Sequence, residues 1–139
     1  MKTYKGEITH LEPNQIFVFG SNTQGRHSLG AALIARTKFG AIYGQSDGLQ
    51  GQSYAIITKD LTKYNHPSIS REQIEYQIKN LYQFAQKNQD KEFLIVYKIG
   101  KNLNHYSSQE MADMFSSSDI PENVIFEEGF SELLKKFKE

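Results

Sequence analysis

Seven of the ten glycines lie between Gly20 and Gly51, and the densest part of that run could do chemistry. It reads Phe19-Gly20-Ser21-Asn22-Thr23-Gln24-Gly25-Arg26-His27-Ser28-Leu29-Gly30-Ala31-Ala32 and passes from the end of an apolar run into a helix-forming one. Glycine lets backbone amides approach an anion with no Cβ in the way. A helix N-terminus adds N–H groups without partners and a partial positive charge. Together they make a phosphate or diphosphate cradle; the other reading is a tight turn with a close helix–sheet contact. The segment has neither the Gly-Lys-Ser/Thr of a P-loop nor the Gly-x-Gly-x-x-Gly fingerprint. Asn22 could bond a ribose or a carbonyl through its amide, or close an Asx-turn. Arg26 and His27 could neutralise phosphate, or be loop charge. Asp47, the only acid between Glu12 and Asp60, could position a ribose hydroxyl or activate water, or cap a turn.

Other chemistries are closed by residue type. The chain has no Cys, which excludes disulfides, thiolate metal sites and a Cys nucleophile. Its four histidines, His10, His27, His66 and His105, lack metal-ligand spacing, so no metal and no cofactor are expected. His27 and His105 meet only if their loops top the same sheet; otherwise both face solvent. No Gly-x-Ser-x-Gly elbow is present. Tyr43, Tyr54 and Tyr106 flank the candidate loops and could stack an adenine, or belong to core and rim. Formal net charge is zero, which argues against duplex nucleic acid, whose binding draws on a basic excess; it argues equally against a single-strand groove. The zero is uneven: residues 1–70 carry +3 and residues 71–139 carry −3, so the glycine-dense half has the polarity a diphosphate needs. No apolar run approaches the roughly 18 residues of a membrane span, and no signal-peptide core follows Met1, so a cytoplasmic location is expected.

The elements that must position these residues follow from pattern. Gln15–Gly20, Ser53–Thr58, Phe93–Tyr97 and Asn123–Phe126 are short apolar or β-branched runs and predict strands; Thr3–Ile8 adds an edge strand. Ser28–Phe39 predicts a helix capped by Ser28 and stopped at Gly40. Ser70-Arg71-Glu72-Gln73 and Ser107-Ser108-Gln109-Glu110 have capping-box spacing. The first opens a helix over 70–88; the second opens one carrying Met111, Met114 and Phe115. Phe130, Leu133, Leu134 and Phe137 make one face of a last helix. With about 100–200 residues per domain, 139 residues make one. Strand–helix alternation predicts a three-layer α/β/α domain around a mixed, largely parallel sheet. Ligands then bind beyond the carboxyl ends of the strands.

Four blocks carry a resemblance: Phe17-Val18-Phe19-Gly20-Ser21-Asn22, Gly25-x-His27-x-x-Gly30-Ala31-Ala32, Phe39-Gly40-Ala41-x-x-Gly44, and Gly48-Leu49-Gln50-Gly51-Gln52-Ser53-Tyr54-Ala55-Ile56. They resemble a family of small, largely uncharacterised phage and bacterial proteins related to macro domains. The likeness is close over about 15–60 and looser through 93–97, Ile99-Gly100 and the helix after Tyr106. It implies a single macro-like domain over 1–139 that binds ADP-ribose or a related nucleotide. Such a domain is a possible ADP-ribosyl hydrolase, with Asn22 and Asp47 as the catalytic candidates. Gly20, Ser21, Asn22 and His27 would belong to the first binding loop, with Asn22 facing the distal ribose. The backbone of Leu29, Gly30 and Ala31 would face the diphosphate, and Gly100 and Lys101 would form the second loop. The chain departs from the family at Ser28, where relatives often have Gly, and at Tyr97-Lys98-Ile99-Gly100-Lys101-Asn102-Leu103-Asn104, which has fewer glycines; Lys98 or Lys101 could compensate electrostatically. Those departures sustain an alternative, an interaction protein that keeps the fold without the ligand.

Overall fold

The structure is a computed structural model that describes residues 2–97 and 104–135. The elements in chain order are β1 (Thr3–Tyr4), β2 (Gln15–Asn22), α1 (Gly30–Lys38), β3 (Gly48–Gln50), β4 (Ser53–Lys59), α2 (Arg71–Lys87), β5 (Glu92–Ile95), α3 (Ser108–Phe115), β6 (Val124–Glu127) and α4 (Glu128–Lys135). One six-stranded sheet has the order β1-β6-β5-β2-β4-β3. Every pairing is parallel except β3 with β4. The mixed, largely parallel α/β sheet expected from the alternation is therefore the one observed.

Period-two alternation explains the layers. On β2, Ile16 and Val18 join the core that holds Ile74, Met111 and Phe130, from α2, α3 and α4. Phe17 and Phe19 join a second core with Ala32 and Ala35 of α1, and with Leu11 of the N-terminal segment. The strand is buried on both faces, so its run is continuously apolar. Phe17, Phe19, Phe93, Phe115, Phe126 and Phe130 are all fully buried, each worth roughly 1.5–3 kcal/mol in transfer from water.

Local signals set the helix starts. Both capping boxes form: Ser70 accepts from the Gln73 N–H and Ser107 from that of Glu110, with the reciprocal side-chain bonds in place. α1 differs from expectation. Its N-cap is Leu29, extended at φ −141° and ψ 152°, with no side-chain cap bond. Ser28 is one residue too early to cap a helix that begins at Gly30. The edge strand expected over Thr3–Ile8 is only Thr3–Tyr4, the length that finds partners on β6. β5 stops at Ile95, leaving Val96 and Tyr97 beyond the strand. β3 lies in a segment expected to be loop.

Candidate functional site

The chain leaves β2 for α1 on one face of the sheet and leaves β5 for α3 on the other. β2 and β5 are neighbours, so their carboxyl ends diverge and open a crevice, as at the switch point of any open α/β sheet. A cleft of about 410 Å³ occupies this place, within the usual range of small-molecule sites. Its lining joins Gly20 of β2, Thr58 of β4, Val96 and Tyr97 after β5, the first turn of α1, and Asn104. Glu7 and Ile8 reach it from the N-terminal segment.

α1 presents its N-terminus to this cleft through Leu29, Gly30, Ala31 and Ala32. Its first turn has no acid and no side-chain cap, whereas α2 and α3 each have a capping box and a first-turn glutamate. The Glu127 carboxylate accepts from the Gly129 and Phe130 N–H groups of α4. Thus α1 brings unneutralised N–H groups and partial positive charge to the cleft.

Across from backbone donors, the cleft has side-chain polarity. A Cβ on Gly20 would sit 2.8 Å from the Tyr97 hydroxyl and 3.1 Å from Thr58 Oγ1. Glycine there is what lets both hydroxyls lie against β2. Thr58 donates to the Ser21 carbonyl at 3.4 Å. Burial pushes the Tyr97 phenol up to about 12 against a smaller opposing effect of Thr58, so it is a neutral hydroxyl at pH 7. Asn104 is 3% exposed; its Oδ1 accepts from the Tyr106 N–H at 3.2 Å and its Nδ2 contacts Met111 Sδ at 3.3 Å.

Of the residues singled out from sequence, Gly20, Leu29, Gly30 and Ala31 line the cleft. Asn22 does not. Its Oδ1 accepts from the N–H groups of Gln24 (3.2 Å) and Arg26 (2.9 Å), and its Nδ2 donates to the Arg26 carbonyl at 3.0 Å. The side chain builds the loop, as in the Asx-turn reading. Ser21 is buried, its hydroxyl 3.4 Å from His27 Nε2. Asp47 is exposed on the approach to β3, outside the lining. Gly100 and Lys101 lie outside the described residues. Tyr43 is exposed under the Arg36 guanidinium, Tyr54 packs on Phe84, and the Tyr106 hydroxyl donates to the Ile69 carbonyl at 2.6 Å. None of the three is on the lining. Thr58, Tyr97, Asn104 and Glu7 were not foreseen. The signal was positional: each of the first two stands at the carboxyl end of a predicted strand.

His27 is fully buried beneath its loop, with Phe19 edge-on at 5.2 Å and no hydrogen bond to Nδ1. It does not meet His105, whose ring lies 5.2 Å from that of His66. Burial, then the Arg36 charge, lowers the pKa of His27, opposed by the Gln45 backbone. The unfolded chain, with an ordinary value near about 6.5, therefore takes up this proton first as pH falls. His27 contributes stability above that value and loses it progressively below, until its own lower folded pKa is passed. Melting temperature is expected to fall between pH 7 and pH 5, and less steeply in His27→Phe. An equal slope in the two proteins would assign the acid sensitivity elsewhere.

Comparison with protein-family models, with curated proteins and with solved structures finds no match. The site is thus read from its own geometry. Among the described residues no group of three or more His, Asp or Glu gathers in a way that could hold a metal, and no helix is long and apolar enough to cross a membrane.

Proposed function

We propose that the cleft binds a nucleoside diphosphate carrying a sugar, of the ADP-ribose type. The observation that carries this reading is the bare N-terminus of α1, opening on the crevice between β2 and β5 with no acid in its first turn. A diphosphate supplies the negative charge and acceptor oxygens that such a terminus lacks. Ile8, Ile34 and Val96 give the cleft apolar wall against which a base can lie. Glu7 is the one carboxylate on the lining among the described residues, and a carboxylate accepts from the exocyclic amine of adenine. Binding alone is proposed. Hydrolysis would need a side chain placed to activate water, and Asn22 is engaged by its loop while Asp47 stands outside the lining.

Calorimetry with ADP-ribose tests the reading. Saturable heat and a rise in melting temperature are expected, since a ligand at 100 times its Kd stabilises by about 2.7 kcal/mol. No heat and no shift at millimolar ligand would remove it. Leu29→Asp separates helix from ligand. Leu29 is 68% exposed, and an Asp there supplies the missing cap, worth about 1 kcal/mol to the helix. The same carboxylate occupies the anion site. The variant is expected to melt higher and to bind ADP-ribose at least about tenfold more weakly, a loss of about 1.4 kcal/mol.

A further inference from the structure

We propose that His66 and His105 form an acid-sensitive clasp between the loop that follows β4 and the loop that leads into α3, closed while the rings are neutral and parted when both are charged. The two ring centroids stand 5.2 Å apart, with the rings tilted by 41°. Each ring is held from its own side. The Ser68 hydroxyl lies 2.8 Å from His66 Nδ1 and accepts from the Asp60 N–H at 2.8 Å. His105 has φ +68° and is the one non-glycine residue with positive φ among the described residues. Histidine enters that region more readily than most side chains, but strain of this kind persists only where the surrounding contacts hold it. Here the Asn104 Oδ1 spans His105 to accept from the Tyr106 N–H at 3.2 Å, and the Tyr106 hydroxyl donates across to the Ile69 carbonyl of the first loop at 2.6 Å.

The charges around the pair give the sign. Lys59 and Asp60 face His66 from the end of β4, and His105 faces it from the other loop. On the helical side Arg71 and Glu110 face Tyr106, and Arg71 pairs with Asp113. Burial, then Lys59, then His105 lower the pKa of His66, opposed by Asp60. Two neutral imidazoles pack at this distance without repulsion, and one proton leaves a cation against a neutral ring. Two protons set like charges 5.2 Å apart, with Lys59 as a third. Parting the loops relieves that repulsion, so the open state binds protons more tightly than the closed one. Closure is therefore complete above the ordinary imidazole value and is lost progressively as pH falls below it. The clasp adjoins the cleft: Thr58 precedes Lys59, Asn104 precedes His105, and both Thr58 and Asn104 are on the lining. Acid thus loosens one wall of the cleft, whatever ligand the cleft takes.

The test needs no ligand. Histidine titration and amide exchange are followed by NMR on the full chain, with and without His105→Asn, in a His27→Phe parent that lacks the acid response of His27. Asparagine accepts a positive φ and removes the second charge. The His66 midpoint is expected to rise toward the ordinary imidazole value in His105→Asn. Between pH 7 and pH 5, with exchange corrected for its intrinsic rate, the Asp60 and Tyr106 amides of the parent should lose at least about threefold more protection than those of His105→Asn, the scale of two unit charges about 5 Å apart in water. His105→Gly, which removes the ring and has no strain at that φ, gives the same reading if His105→Asn folds poorly. An unmoved His66 midpoint, an equal loss of protection with and without His105, or a loss shared in full by the amides of α2 overturns the clasp. None of these outcomes bears on the nucleotide reading.

Discussion

Gly25→Ala is expected to destabilise the protein by about 3 kcal/mol and to weaken ligand binding as well. Gly25 has φ +63°, and an alanine held in that left-handed region costs roughly 1–2 kcal/mol. The added Cβ would stand 2.6 Å from the Gly44 carbonyl carbon and 2.7 Å from the Gln45 nitrogen. Both are backbone atoms, so no rotamer change relieves the clash; overpacking of this kind costs typically about 1–3 kcal/mol more. The two loops are also joined by a bond from the Gly44 N–H to the Gly25 carbonyl at 2.8 Å. Pushing them apart shifts the cover over His27 and, two residues later, the N-cap of α1. Gly44→Ala is the control. Gly44 has φ +97° but open space where a Cβ would go, so it incurs the strain without the clash. Any gain from a stiffer unfolded chain is common to both substitutions. Denaturant unfolding should show Gly25→Ala losing clearly more than Gly44→Ala. Equal losses would mean that the two loops do not pack as described.

How much was legible in the sequence depended on how far apart the cooperating residues stand. Capping boxes are written within four residues, and both formed where Ser70 and Ser107 placed them. The strands of the interior, β2, β4, β5 and β6, are apolar runs whose burial needs no knowledge of their neighbours. β3 was missed because three residues have no periodicity. Gly48-Leu49-Gln50 is a strand only through its antiparallel register with β4, where Gln50 faces Ser53 across the two-residue turn Gly51-Gln52. That turn was the available signal, since a two-residue loop beginning with Gly favours a hairpin.

The site divides in the same way. Its backbone half was legible, because a glycine-rich passage from a strand into a helix start is a local pattern, and Gly20, Leu29, Gly30 and Ala31 do line the cleft. Its side-chain half was not, because Glu7, Thr58, Tyr97 and Asn104 come from separate segments that only the sheet brings together. The polar side chains nearest to hand in sequence were absorbed by their own loop. Asn22 sits two and four residues from the amides it satisfies, so its oxygen already accepts from two donors of its own loop. His27 is covered by Phe19, Ser21 and the Gln45 backbone. A reactive residue type in a glycine-rich loop is thus also the best material for holding that loop.

Phe115→Ala is expected to cost about 3–5 kcal/mol, the usual loss for a fully buried aromatic, against a total stability of about 5–15 kcal/mol for a domain. The ring stands edge-on to Phe126 at 5.4 Å and to Phe130 at 6.1 Å, and lies 5.8 Å from Tyr97. It therefore belongs to the core and also supports the phenol whose hydroxyl reaches Gly20. A milder change separates the two roles. Phe115→Leu keeps most of the volume and an intact fold, with a cost of about 1–2 kcal/mol, but removes the ring face that holds Tyr97. The amides of α1 rest on the opposite core, with Phe17, Phe19 and Phe39. If the cleft binds ADP-ribose as proposed, Phe115→Leu should leave that affinity within about twofold of wild type. Phe17→Leu, of similar expected stability cost, should lower it clearly more, because Phe17 lines the cleft together with the first turn of α1. If the two variants lower the affinity in parallel, the sheet does not divide the work, and the cleft is held by one coupled core. If they split, the cleft is held by the hydrophobic layer on the α1 face of the sheet.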